Sequence, residues 1–110
     1  MTEQRLKSIV VRNIKREFPS VWSFKCSDRF ISGIPDIIGC LNGRFFAIEL
    51  KTVSGKLSKI QEHVKRLIER SGGAYAVCRS WEEALNFLIE IDVQVGPLQR
   101  IQTQIKLERG

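Results

Sequence analysis

Asp36, Glu49 and Lys51 stand at the outer ends of two apolar runs in the stretch GIPDIIGCLNGRFFAIELK, residues 33–51. The runs flank Asn42-Gly43, a strong signal for a two-residue hairpin turn. With that turn, Leu41 faces Arg44, Ile38 faces Ala47, Ile37 faces Ile48 and Asp36 faces Glu49. Opposed side chains share one face of a sheet and side chains alternate along a strand. Lys51 therefore joins the two acids, while Phe46, Ile48 and Leu50 point the other way. Opposed carboxylates repel, and a fold tolerates them when a cation lies between them or one is protonated. Lys51 supplies one positive charge. A hard divalent ion with oxygen ligands fits better, and Mg²⁺ is commonly held by one or two carboxylates together with water and phosphate. The plainer alternative is a structural ion pair at a sheet edge. A three-residue turn would part the acids, because a one-residue slip moves a side chain to the opposite face.

Two further polar residues could join them. Glu3 stands at helical spacing before Leu6 and Val10, so it extends the apolar stripe of a first helix toward the sheet edge. It could equally be a favourable charge in a first helical turn. Gln61 pairs with Ser58 as a capping box, yet its spacing to Val64 and Ile68 places it near the buried side of a second helix.

The elements that must position these residues follow from periodicity. Residues 2–18 read as a helix capped by Thr2, with Leu6, Ile9, Val10 and Ile14 as its stripe and Phe18-Pro19 as its end. Residues 21–26 read as a strand, and the hairpin strands lie near 35–41 and 44–51. A second helix starts at Ser58, ends before Gly72-Gly73, and carries Ile60, Val64, Leu67 and Ile68 as its stripe. AYAVC, residues 74–78, is a short buried strand. Ser80 and Glu83 form a capping box for a third helix whose stripe is Trp81, Ala84, Leu85, Leu88 and Ile89. Beyond Asp92 the pattern weakens; Leu98, Ile101 and Ile105 are spaced for a short amphipathic helix that could seek a partner or fold back. The order is α-β-β-β-α-β-α, a small α/β sheet flanked by helices.

With 110 residues the chain is one domain with one core. No apolar run reaches the roughly 18 residues of a membrane helix, and the charged N-terminus has no signal-peptide pattern. The three cysteines, Cys26, Cys40 and Cys78, are scattered and read as core filler; neither a disulfide framework nor a zinc site is suggested, and a reducing cytoplasm is expected. His63 reads as a helix-surface residue. The net charge of +6 favours a polyanionic partner.

Pro35-Asp36 followed by IELK at 48–51 resembles the PD-(D/E)xK nuclease signature. The finer resemblance is to the VRR-NUC family. It covers roughly residues 2–90 and rests on TE opening the first helix, GIPDIIG, AIELKTVSGKLSKIQ and GGAYAVCRS, with Gly55, Ser58 and Gln61 continuing the core motif. The resemblance implies a restriction-endonuclease-like core over residues 1–92, with 93–110 as a C-terminal extension. It implies metal-dependent cleavage of DNA, with Asp36, Glu49 and the Leu50 carbonyl holding Mg²⁺ or Mn²⁺ and Lys51 orienting the attacking water or stabilising the developing charge. Glu3 would match the first-helix acid of the family and Gln61 its glutamine beside the site. Standalone members resemble dimeric phage resolvases of four-way (Holliday) junctions. A chain of this standalone type is expected to be a homodimer in a bacterial or phage-infected cytoplasm. Lys56, Lys59, Lys65, Arg66 and Arg70 could contact phosphates beside the cut or be a solvated helix face. The rival readings are a non-catalytic nucleic-acid-binding module, and a flap nuclease or exonuclease with the same chemistry.

Overall fold

The structure, a computed structural model, describes residues 1–27 and 31–93. Helix α1 spans Glu3–Glu17, and its Thr2 cap accepts a hydrogen bond from the Arg5 amide at 3.1 Å. Strands β1 (Trp22–Lys25), β2 (Ile37–Leu41) and β3 (Arg44–Leu50) follow, then helix α2 (Lys59–Arg70) and strand β4 (Ala74–Cys78). Residues 81–93 form helix α3. The element order is the one that the periodicity implies. The expected amphipathic helix at Leu98, Ile101 and Ile105, and nearly all of the 93–110 extension, lie outside the described residues.

The four strands lie in the order β1-β2-β3-β4. The first two pairings are antiparallel; β3 and β4 are parallel, with α2 as the crossover that such a pair requires. The hairpin has the two-residue turn. Asn42 and Gly43 adopt φ of 52° and 81°, and Leu41 pairs with Arg44, Ile38 with Ala47 and Ile37 with Ile48. Positive φ at both central residues matches the right-handed twist of the strands, and glycine reaches it without a Cβ penalty.

One face of the sheet carries Ile37, Leu41, Phe46, Ile48 and Leu50 into a core shared with Leu6, Val10 and Ile14 of α1 and Ala84, Leu88 and Ile91 of α3. Two expectations need correction. The α2 stripe is not a core face: no residue of α2 is buried, and Ile60 and Leu67 each remain 48% exposed. Helical spacing identifies a side, not a depth, and α1 and α3 already fill the core. The cysteines are not uniformly core filler either, since Cys78 is buried, Cys26 half-buried and Cys40 exposed. At the start of α3, the Glu83 amide donates to Ser80 Oγ at 3.2 Å, while the Glu83 carboxylate accepts from the Arg79 amide at 3.3 Å instead of the Ser80 amide. Among the described residues no helix is long and apolar enough to cross a membrane.

Candidate active site

The β1–β2 ladder continues past its last pair through a bond from the Cys26 amide to the Asp36 carbonyl, 2.8 Å, which fixes the backbone of Asp36 at the mouth of the sheet. The Asp36 side chain is tied down from two sides. One carboxylate oxygen accepts the Leu50 amide at 2.7 Å, and the other faces the Lys7 ammonium at 3.3 Å. Lys7 Nζ also donates to the Cys26 carbonyl at 2.9 Å, so α1 is joined to β1 and β2 at this point.

Glu49 lies beside Asp36 on β3 and is 5% exposed. Its Oε2 is buried and has no hydrogen-bond partner. Burial pushes the Glu49 carboxyl up, the neighbouring Asp36 carboxylate pushes it further by accepting its proton in a hydrogen bond and by charge, and the sum is about 8. Lys51 pulls the other way, and Glu3 adds to the upward push. Glu49 therefore keeps its proton near neutral pH, in a hydrogen bond to Asp36. A cleft of about 390 Å³ opens at Asp36, with Glu3, Lys7, Cys26 and Leu50 also among its walls and Glu49 buried behind it.

Glu3, Asp36, Glu49, Leu50 and Lys51 thus gather at one end of the sheet. Gln61 completes a capping box, its side-chain carbonyl accepting the Ser58 amide at 2.9 Å and its own amide donating to Ser58 Oγ at 3.3 Å, while its neighbours Ile60 and Val64 pack against Gly33, three residues before Asp36. Lys56, Lys59 and Arg66 are exposed on α2 and the loop before it. Lys65 pairs with Glu69 at 3.0 Å. Sequence reasoning missed Lys7. Its signal was its position four residues after Glu3, on the same side of α1. It also missed the Leu50 amide as a donor to Asp36, the bonds of Arg79, and the Tyr75 hydroxyl, which is buried without a partner and has its pKa raised by burial first and by Glu49 next. Among the described residues no cluster of three or more His, Cys, Asp or Glu forms a metal cage. A pair of carboxylates at an open cleft is instead the donor set of an ion that keeps water and phosphate as its other ligands.

No protein-family model and no curated protein matches the chain. Among solved structures, a chain described as "VRR_NUC domain" matches with a TM-score of 0.59 and 24% identity, over 76% of this chain and 94% of the other. The fold is that of a VRR_NUC domain. In this VRR_NUC fold the hairpin brings Asp36, Glu49 and Lys51 to one end of the two inner strands, with Asp36 beside the N-terminal turn of α1.

Proposed function

We propose that the chain is a nuclease that hydrolyses DNA phosphodiester bonds with a bound divalent cation, Mg²⁺ or Mn²⁺. The observation that carries this reading is the Glu49 carboxyl, buried with an unpartnered oxygen against the Asp36 carboxylate, which itself lines an open cleft. Such a pair is costly unless a cation or a proton joins it. Asp36, Glu49 and the Leu50 carbonyl would hold the cation, with Glu3 at the rim. Bound there, it supplies an activated water and neutralises charge on the phosphate. Glu49 gives up its proton as the site is loaded. The Lys51 ammonium places fixed positive charge where negative charge develops on the phosphate. Lys56, Lys59 and Arg66 contact the backbone on either side, and Lys65 does so after leaving Glu69. Gln61 serves by fixing the start of α2.

The overall basic charge suits a nucleic-acid substrate. The reading extends to a four-way junction cut by a homodimer in a bacterial or phage-infected cell, with residues 1–92 as the nuclease unit. The test is a panel of four-way, flap, fork and linear DNA with Mg²⁺ and with Mn²⁺. Paired cuts in opposing strands of the four-way junction are expected. Lys51→Ala should abolish them while binding persists. Neutralising Lys56 and Lys59 should weaken binding and reduce its salt dependence by about one log-log unit per lost contact. Absence of cutting on every substrate with both metals would overturn the nuclease reading, and normal cutting by Lys51→Ala would remove Lys51 from the chemistry.

A further inference from the structure

A lysine that acts on a phosphate must be aimed, and the rotamer freedom of its long side chain is something the fold has to restrain. Lys51 makes no ion pair among the described residues. Its backbone is fixed as the last rung toward β4, where its amide donates to the Cys78 carbonyl at 3.1 Å. Its side chain is held by contact. A Cβ placed on Gly55 would stand 3.2 Å from Lys51 Cδ, 3.4 Å from its Cβ and 3.6 Å from its Cγ, so the bare α-carbon of Gly55 lies along the lysine stem.

Gly55 closes a turn that starts at Thr52, with its amide donating to the Thr52 carbonyl at 3.1 Å. Arg79 brackets both ends of that turn. Nη1 donates to the Thr52 carbonyl and Nη2 to the Gly55 carbonyl, each at 2.7 Å. Arg79 follows Cys78 directly, and its own amide is anchored on Glu83 in the first turn of α3. A continuous set of contacts therefore runs from α3 through the guanidinium and the turn to the stem of Lys51.

We infer that Arg79 is a positioning residue for Lys51, acting through the Thr52–Gly55 turn. The inference rests on the catalytic role proposed for Lys51. It requires the planar fork of arginine, since a lysine has one ammonium and cannot span two carbonyls in fixed geometry. It also separates Arg79 from the exposed cations that contact DNA, because both terminal nitrogens are committed to the protein's own backbone.

The test compares Arg79→Lys and Arg79→Ala with wild type in the full chain, by single-turnover cleavage and by affinity for the DNA cut best in the panel. Both variants should lose about 10- to 100-fold in cleavage rate, with affinity unchanged, and added guanidinium should partly restore Arg79→Ala. A second readout needs neither DNA nor metal. The two ε-methylene protons of Lys51, assigned by their loss in Lys51→Arg, should be distinct in wild type and averaged in Arg79→Lys. Gly55→Ala leaves Arg79 in place and presses on the lysine stem, so it should shift the same resonances and slow cleavage even if the arginine variants fold poorly. An Arg79→Lys variant that cuts at the wild-type rate with Lys51 unmoved would overturn the inference. So would an Arg79→Ala variant whose defect is weaker binding with a smaller salt slope, which would make Arg79 a phosphate contact. If wild type cuts no DNA, the nuclease reading fails while the Lys51 resonances still decide whether the clamp exists.

Discussion

The Glu49 carboxyl, at about 8 against an ordinary value of 4.5, makes the metal-free protein a proton sink at its own site. Between those values the folded state holds a proton that the unfolded chain has released. Stability from this group is complete below the unfolded value, falls as pH rises through the window, and is gone above about 8. Thermal unfolding in chelator should therefore show a melting temperature that drops from pH 5 to pH 8.5. Glu49→Gln, neutral throughout, should lack that part of the slope; an identical slope in the variant would show that Glu49 does not hold the proton. The proposed divalent cation would compete with the same proton, so Mg²⁺ or Mn²⁺ should raise the melting temperature more at the upper end of the range, in wild type and not in Asp36→Asn. The identity of the acids was legible in the sequence because alternation and a short turn are local rules. The Lys7–Asp36 contact was not, since it joins a helix to a strand start far along the chain, and periodicity carries no information about where α1 lies on the sheet.

At the scale of the element, the hairpin turn sets the register and thereby the site. Gly43 has φ of 81°, a region where a β-branched residue is strained. Gly43→Val should cost about 1–2 kcal/mol in urea unfolding, and Asn42→Gly much less, since glycine also reaches positive φ. A Gly43→Val protein of unchanged stability would mean that the turn can be rebuilt, with the acids then free to part. The strand pairings were readable because Asn-Gly fixes loop length and loop length fixes partners. The depth of α2 was not. Its stripe is as regular as that of α1, yet α1 faces the closed side of the sheet together with α3, and α2 packs beside Gly73 with much of its apolar side open. Which of two amphipathic helices is buried depends on which face of the sheet the others have filled.

At the scale of the whole molecule, the proposed homodimer needs a surface, and the sheet offers an exposed aromatic patch along β1. Trp22 pairs across to Cys40 and Cys40 to Phe45, so the three share a row on one face. All are exposed, Trp22 by 58% and Phe45 by 41%, and Phe24, stacked beside Trp22 at 6.3 Å between ring centroids, is 55% exposed. Among the described residues strand β1 is also an edge, with one side of its backbone open to pairing. The row at Cys40 lies roughly 13 Å along β2 from Asp36, and Phe24, which pairs with Ile38, lies about 7 Å from Asp36, so it is the open edge of β1 beside the rings that favours a protein occupant. The aromatic rings supply roughly 200–300 Å² of open surface, against about 800 Å² per partner in a stable interface. The half-open side of α2 and the free edge of β1 must therefore contribute the rest. Light scattering at micromolar concentration should give a dimer for wild type and a monomer for Trp22→Ser combined with Phe24→Ser. A short bifunctional maleimide should link two copies through Cys40 and fail with Cys40→Ser. The monomeric variant should still nick single strands of a junction while losing near-simultaneous paired cuts, because each copy retains its own Asp36, Glu49 and Lys51. A wild-type monomer would overturn the homodimer. A dimer that survives the double substitution would place its interface elsewhere. A variant that stays dimeric but binds single-stranded DNA less tightly would assign the aromatic row to base stacking instead.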